Sequence, residues 1–235
     1  NRSPEETDGY PLHEGDVGDL DAVKSVRDRM VAKPDAIVHC ASSGRGGADA
    51  YRRVFLEGLT HLRTVFPDTP IFFTSSTSVY GQTDGSVVTE QSETAPDRET
   101  SRILVEAEHL ARESGGAALR LAGIYGPGRS ALDTVRATIE AGPVSRLVNQ
   151  IHRDDAVSAI THLVDCTQSE TAGAVFNVVD DTPLSQRECY QRLAYLLDLP
   201  VPPEAPPDLN RKRAWTHKAV SNGALKATGW TPRFP

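Results

Sequence analysis

Short apolar runs alternate along this chain with stretches that carry the apolar period of an amphipathic helix, and this alternation constrains the fold most. Segments 35–42, 70–76 and 117–123 are short, apolar and bounded by turn-forming residues, which is typical of buried strands. The stretches between them place apolar residues three or four positions apart, which predicts helices. Alternating strands and helices predict a parallel sheet covered by helices on both faces, with ligands beyond the carboxyl ends of the strands.

The regular alternation of apolar runs and helical stretches changes after Gly126 and Pro127, so we expect the chain to have two parts. The elements predicted in the second part are a helix at 131–141, a strand at 146–151, a helix from about Asp154, a strand at 174–180, a helix at 185–197 and a proline-rich connector at 200–208.

Composition excludes several classes of protein. The 235 residues include 25 basic and 32 acidic side chains, a net charge of −7, which argues against a nucleic-acid or anionic-membrane partner. We see no apolar segment long enough to span a membrane and no secretory pattern. Cys40, Cys166 and Cys189 are far apart and lack CxxC spacing, so we expect reduced thiols in a cytoplasmic protein, and no metal site.

Five consecutive hydroxyl side chains, 74–78, follow the apolar run that predicts the second strand. Ser75, Ser76 and Thr77 would therefore lie at the carboxyl end of a strand, where an α/β sheet binds its ligands. Serines also satisfy free backbone groups at strand ends, and position alone does not separate the two interpretations.

Six segments occur in one order and with spacing that resembles a known family. They are GDVGD (15–19), IVHCAS (37–42), TSSTSVYG (74–81), LRLAGIYGPGR (119–129), NQIHRDDAVSAI (149–160) and VFNVVDD (175–181). Together they resemble the extended and atypical short-chain dehydrogenase/reductase superfamily, in particular its NAD(P)-dependent epimerases and dehydratases. The resemblance implies a doubly wound Rossmann-like domain over 1–130, and over 131–235 mainly a small substrate lobe with some segments returning to the sheet.

The same resemblance implies a dinucleotide site. Asp16 would contact the adenine and Val17 would offer it a backbone amide, although Asp16 could instead be a carboxylate at a helix N-terminus. Further residues implied to bind the cofactor are Ala41, Ser42, Ser75, Gly123 and Ile124. Ser76 would hydrogen-bond the substrate oxygen, while Thr77, Tyr125 and His152 would line the pocket of a small-molecule substrate.

The chain departs from the family near its start. A glycine-rich phosphate loop is absent, so the first β-α-β unit is apparently missing, and the GRGG segment at 44–47 follows a later strand. Arg2 occupies the position at which family members that use NADP hold the 2′-phosphate, which favours NADP as the cofactor. An exposed terminal arginine without a role is the alternative.

A second departure concerns proton transfer. Family oxidoreductases use a Tyr-x-x-x-Lys pair, and none of the six tyrosines here has a lysine four residues later. The matching positions hold Arg98 and Arg102, and an arginine keeps its proton and cannot act as a base. Arg102 could hold a ribose hydroxyl or pair with Glu106, whereas Tyr80 could act as a substitute acid or simply pack in the core.

We therefore expect an NAD(P)-dependent epimerase/dehydratase-like oxidoreductase for a nucleotide sugar or related metabolite, with a degenerate catalytic tetrad. The alternatives are a non-catalytic NAD(P)-binding regulatory or redox-sensing protein and, third, a chain that binds no dinucleotide. A homodimer through the helices at 51–66 and 101–113 is possible, although the same faces could pack on the sheet.

Overall fold

The computed structural model describes residues 11–44, 46–128, 146–201, 203–204 and 216–235. Its helices are α1 (Leu20–Arg29), α2 (Ala48–Tyr51), α3 (Gly58–Val65), α4 (Glu99–Glu113), α5 (Arg153–Asp165), α6 (Gln168–Thr171), α7 (Gln186–Leu197) and α8 (Gly223–Ala227). Its strands are β1 (Ile37–His39), β2 (Ile71–Ser76), β3 (Val87–Val88), β4 (Ala118–Leu121), β5 (Gly123–Tyr125), β6 (Leu147–Val148), β7 (Gln150–His152), β8 (Val175–Val178), β9 (Leu184–Ser185) and β10 (Ala219–Val220).

Four parallel strands form the main sheet in the order β1-β2-β4-β8. This arrangement confirms the predicted α/β fold class. The register aligns Ser76 with Leu121 and Leu121 with Val178, so these three strands end in one row. The carboxyl ends of the strands therefore form a single edge, and ligands are expected there.

Helices α1, α3 and α4 form where the apolar periods predicted helices. Helix α1 begins after Asp19, whose side chain accepts hydrogen bonds from the backbone of Asp21 and Ala22. A π-helical segment, Arg52–Glu57, joins α2 to α3 and places Phe55 in the core beside His39 and Phe73.

Helices α2 and α3 lie beside α4, and two ion pairs join α4 to α3 and to the π-helical segment that precedes α3. Arg52 pairs with Glu99 at 2.9 Å, and Arg63 pairs with Glu113 at 3.0 Å. Helix α4 also packs on β2 and β4 through a buried face. The homodimer through these helices stays a prediction.

Three small strand pairs surround the main sheet: β5 with β7 and β3 with β10 are parallel, and β6 with β9 is antiparallel. The predicted strand at 146–151 is split into β6 and β7 at Asn149, because the side chain of this residue hydrogen-bonds to a distant segment of the backbone. Its side chain donates to the carbonyl of Lys218 at 3.0 Å and accepts from the amide of Val220 at 2.8 Å.

The later elements agree with the prediction in type and nearly in bounds. Strand β8 lies inside the predicted strand 174–180, and α7 begins after a capping box formed by Ser185 and Glu188. The predicted helix at 131–141 and most of the connector at 200–208 lie outside the described residues. Among the described residues, no helix combines the length and the apolar character that crossing a bilayer requires.

Candidate functional site

Ser76 is the last residue of β2 and lies at the row of strand ends. Its partly exposed side chain accepts a hydrogen bond from the amide of Ser78 at 3.2 Å and caps the short 3₁₀ turn Thr77–Val79. Thr77 opens that turn, and its carbonyl accepts from the amide of Tyr80. Both hydroxyl residues thus stand at the edge where the prediction places substrate.

Ser75 lies on the opposite face of β2, because successive side chains alternate along a strand. It is buried, and its hydroxyl donates to Oε1 of Glu108 at 2.6 Å. Glu108 in turn forms a bidentate ion pair with Arg120, with a shortest contact of 2.6 Å. The Ser75 hydroxyl is therefore engaged in the core, and its role in cofactor binding remains a prediction that this geometry does not favour.

Tyr80 is fully buried and its hydroxyl is surrounded by polar partners. Arg120 donates to it at 2.7 Å, and the side-chain oxygen of Asn177 and the carbonyl of Thr89 lie within 2.9 and 3.0 Å. Burial raises the pKa of Tyr80, although the nearby Arg120 charge opposes this effect. These contacts favour the packing interpretation over the predicted catalytic one, because the hydroxyl is buried and hydrogen-bonded to these three protein groups.

Arg102 is exposed near the start of α4. Its guanidinium donates to the carbonyls of Pro96 at 3.2 Å and Asp97 at 3.0 Å, and thus anchors the loop before the helix. Arg98 is the residue that precedes the first turn of α4. The contact between Arg102 and a ribose hydroxyl stays a prediction.

Asp16 and Val17 form the turn before α1. Oδ1 of Asp16 accepts from the amide of Gly18 at 2.9 Å, and Oδ2 is paired with Arg53. The Gly18 hydrogen bond and the Arg53 side chain lower the pKa of Asp16. The side chain that caps α1 is Asp19 and not Asp16, so the contacts of Asp16 do not match its alternative role as a carboxylate at the helix N-terminus.

Ala41 and Ser42 are exposed immediately after β1. The hydroxyl of Ser42 accepts from the amide of Gly44 at 3.1 Å, and Gly44 has a φ of +68°. This turn lies at the carboxyl end of β1, beside the end of β2. Its exposure is compatible with the predicted contact along a cofactor. Arg2, the residue that favoured NADP, lies outside the described residues.

A second group of predicted residues lies on the β5–β7 pair. Gly123 and Ile124 align with Gln150 and Ile151, and Tyr125 aligns with His152. The rings of Tyr125 and His152 meet edge to face at 5.2 Å.

His152 is almost fully buried between two aromatic rings, since its ring also lies 3.8 Å from that of Phe234. Its Nδ1 accepts from the amide of Asp154 at 3.2 Å, so His152 caps α5. Gly126 follows Tyr125 with a φ of +138°, and a side chain there would meet His152 at 3.1 Å. The turn after β5 is thus shaped around this imidazole.

The structure reveals one acidic residue that the sequence reasoning missed. Asp180 follows β8, and burial together with the Asp181 charge raises the pKa of Asp180 to about 7. The sequence signal that could have found it is a pair of adjacent carboxylates directly after a buried strand.

The described residues fit a dinucleotide in part. The exposed turn at Ala41 and Ser42 and the partly exposed hydroxyls of Ser76 and Thr77 leave polar groups available along the strand ends. The carboxylate of Asp16 already has two protein partners, so a nucleoside would compete with Arg53 for it. The part of the chain that the structure describes contains no group of three or more His, Cys, Asp or Glu residues arranged to hold a metal ion.

The profile of the NAD dependent epimerase/dehydratase family matches residues 1–179. Protein YeeZ from Escherichia coli strain K12 is 35% identical over 135 residues, which are 56% of this chain and 47% of YeeZ. The matched region therefore spans about half the length of that curated relative.

Solved structures share the fold over most of the chain. A Methylobacillus flagellatus protein, provisionally assigned as an NAD-dependent epimerase/dehydratase, is 27% identical, with a TM-score of 0.77 and coverage of 100% of this chain and 83% of that one. RMD from Pseudomonas aeruginosa, solved with NADPH, is 22% identical, with a TM-score of 0.74 and coverage of 96% and 83%. WbmG from Bordetella bronchiseptica, solved with NAD and UDP, is 16% identical, with a TM-score of 0.78 and coverage of 94% and 73%.

Proposed function

Because this chain belongs to the NAD dependent epimerase/dehydratase family, we propose that it is an NAD(P)-dependent oxidoreductase of the epimerase/dehydratase type. Its substrate would be a nucleotide sugar or a related small metabolite. The observation that carries the proposal is the position of Ser76, a partly exposed hydroxyl at the aligned ends of the parallel strands in the region that the family profile matches. RMD with NADPH and WbmG with NAD and UDP support the ligand classes.

A nicotinamide cofactor would supply hydride-transfer chemistry at this site, and the chain would bind and orient the substrate. Ser76 would donate its hydroxyl proton to a substrate oxygen, while its own oxygen stays bonded to the amide of Ser78. Thr77, Tyr125 and His152 would border the substrate. Asp16, Val17, Ala41, Ser42, Gly123 and Ile124 would border the dinucleotide.

A second function, a non-catalytic NAD(P)-binding regulatory or redox-sensing protein, is favoured by two observations. Arg98 and Arg102 stand where the family's tyrosine and lysine are expected. In addition, Tyr80 was the candidate for a substitute acid, and its buried hydroxyl is hydrogen-bonded to Arg120 and Asn177 within the core. This function shares the cofactor site with the first and differs only in turnover.

Fluorescence titration with NADH and NADPH tests the feature that both functions share. We expect saturable binding by the purified chain, and weaker substrate binding by Ser76→Ala with unchanged cofactor affinity. Incubation with a panel of nucleotide sugars, followed by the absorbance of the reduced nicotinamide and by product analysis, separates turnover from binding alone. Absence of dinucleotide binding would reject both functions, and Ser76→Ala with wild-type turnover would remove Ser76 from the site.

A further inference from the structure

Asp180 lies two residues beyond the row of strand ends. In the sheet register Val178 aligns with Leu121 and Leu121 with Ser76, which places Asp180 at the same edge as the predicted substrate site. Its amide donates to the carbonyl of Gln150 at 2.8 Å and so ties the end of β8 to β7. Asp180 is therefore held between the main sheet and the pair of strands that carries Tyr125 and His152.

Three carboxylates are close to one another here, and two of them are fully engaged. Asp155 is completely buried and accepts from the amides of Arg233 at 3.0 Å and Phe234 at 2.9 Å. Asp181 accepts from Asn222 at 2.8 Å and from Lys226 at 2.9 Å. These two side chains have structural partners that account for them.

Asp180 differs from both neighbours. Its Oδ1 is buried from solvent, and within the described ranges it has no hydrogen-bond partner. A buried polar atom left without a partner lowers stability, and more so when the group is charged, so native proteins rarely retain one without a use. A buried carboxylate oxygen at the ligand-binding edge of a parallel sheet is most simply explained by a ligand that supplies the missing hydrogen bond.

The titratable groups that interact electrostatically with Asp180 lie on β5, α5 and α7 and at the adjacent position, and none of them is a cation among the described residues. Burial raises the pKa of the Tyr125 phenol on β5, and the negative charges of Asp180 and Asp155 raise it further. Burial and nearby charges that include Asp180 also raise the pKa of the Cys189 thiol on α7, against the opposing Arg192 charge. Asp181 contributes a further negative charge from the adjacent position. An anionic group of a ligand would be repelled from the surroundings of Asp180.

We propose that Asp180 is a substrate-contacting residue whose Oδ1 hydrogen-bonds a hydroxyl group of a hydroxyl-bearing sugar nucleotide. This inference rests on the proposed function, because it names the substrate class of the same site. A hydroxyl suits the position because it donates to the ionised carboxylate and accepts from the protonated carboxyl. A sugar that presents a carboxylate there would meet Asp180 and Asp181 as like charges and would be excluded.

The proposal predicts that ligand binding depends on pH near neutrality. Burial and Asp181 place the pKa of Asp180 at about 7 in the free protein. A bound hydroxyl hydrogen-bonds the two protonation states unequally, since hydrogen bonds to a charged acceptor are stronger. We therefore expect tighter ligand binding at about pH 8 than at about pH 6, because the ionised fraction of Asp180 is larger at the higher pH.

The test uses calorimetric titration of UDP-glucose into the cofactor-saturated chain at about pH 6, 7 and 8. Asp180→Ala removes the proposed hydrogen bond and should weaken UDP-glucose binding about tenfold at neutral pH. Asp180→Asn keeps the shape but cannot titrate, so its affinity should be independent of pH. Asp181→Asn is the matched control: it should retain the pH dependence with a midpoint at lower pH, because one repulsive charge next to Asp180 is gone.

Each outcome bears on a distinct statement, provided that thermal unfolding shows all variants to be folded. A wild-type chain that binds neither NADH nor NADPH rejects the proposed function itself. Cofactor binding without UDP-glucose binding rejects the substrate class and overturns the inference. Cofactor and UDP-glucose binding that Asp180→Ala leaves unchanged, or pH dependence that persists in Asp180→Asn, overturns the role of Asp180 and leaves the proposed function in place.

Discussion

Two polar groups of residues, which include the neighbours Ser75 and Ser76, differ in how far their hydrogen-bonding capacity is satisfied within the protein. The Tyr80 network consists of Ser75, Tyr80, Glu108, Arg120 and Asn177, and it is buried and closed by hydrogen bonds among its members. The strand-end cluster consists of Ser76, Tyr125 and Asp180, which are partly exposed. In that cluster the buried Oδ1 of Asp180 has no partner within the described ranges.

The polar groups of the Tyr80 network stabilise the core through hydrogen bonds to one another, whereas those of the strand-end cluster are the ones that we propose to contact a ligand. In the Tyr80 network the charges are compensated, because the carboxylate of Glu108 accepts hydrogen bonds from the Ser75 hydroxyl and from the Arg120 guanidinium. At the strand ends the buried Oδ1 of Asp180, which has no partner among the described residues, costs stability, and we attribute its retention to the proposed contact with a ligand. Substitutions in the two regions should therefore have different effects on stability and on binding.

The largest effect on stability is expected from Arg120→Met. The substitution leaves the carboxylate of Glu108 buried without its counter-ion, which should lower the free energy of unfolding by about 3–5 kcal/mol. Urea denaturation followed by circular dichroism measures it. The exposed control Arg63→Met, which breaks the pair with Glu113, should cost about 0–1 kcal/mol. A cost for Arg120→Met no larger than that of the control would show that the network does not stabilise the core.

A smaller and pH-dependent effect is expected at Lys218, which lies beside the Tyr80 network. Lys218 is 3% exposed, its Nζ donates to the carbonyl of Tyr80 at 2.6 Å, and burial lowers its pKa from 10.5 to about 8. Between these values the unfolded chain binds more protons than the folded one, so stability should rise with pH across that window. The full rise corresponds to about 3 kcal/mol, approached as the pH nears the upper value.

Denaturation of the wild type and of Lys218→Met over the same pH range isolates this contribution, because other titrating groups act on both proteins. We expect the difference in unfolding free energy between the two proteins to change with pH in favour of the wild type as the lysine loses its proton. A difference that stays constant over the range would mean that Lys218 has the same pKa in the folded and unfolded chains.

The smallest effects on stability, and the sharpest contrast between the regions, are expected from two adjacent serines. Ser75→Ala removes a buried hydrogen bond to Glu108 and should cost about 1–3 kcal/mol, with cofactor affinity unchanged. Ser76→Ala removes only a long, exposed hydrogen bond to the amide of Ser78 and should cost less than about 1 kcal/mol. Equal costs, measured by urea denaturation, would contradict the assignment of the two hydroxyls to different regions.

Much of the fold could be predicted from the sequence. The alternation of apolar runs with helical periods predicted the parallel sheet, and β2 lies within one residue of the predicted segment 70–76. The bounds were less accurate where tertiary contacts intervene. Asn149 splits a predicted strand because its side chain bonds to the segment around Lys218 and Val220, about seventy positions away.

The candidate site could be predicted only in part. The order of segments located Ser76 at a strand end, and the structure places it there. The sequence did not distinguish the environments of Ser75 and Ser76, and it did not single out Asp180. Residues as distant as Asn222 and Lys226 engage the carboxylate of Asp181, whereas Oδ1 of the adjacent Asp180 has no partner among the described residues.

The sequence by itself determined the α/β class, the order of the main strands and helices of the first part and the family, because apolar periodicity and short motifs are local properties of the chain. Only the tertiary structure decided which polar side chains are closed into the core and which remain open at the strand ends. The physical reason is that burial and hydrogen-bond partners come from distant segments: Tyr80 meets Arg120 and Asn177, whereas Oδ1 of Asp180 meets no partner among the described residues.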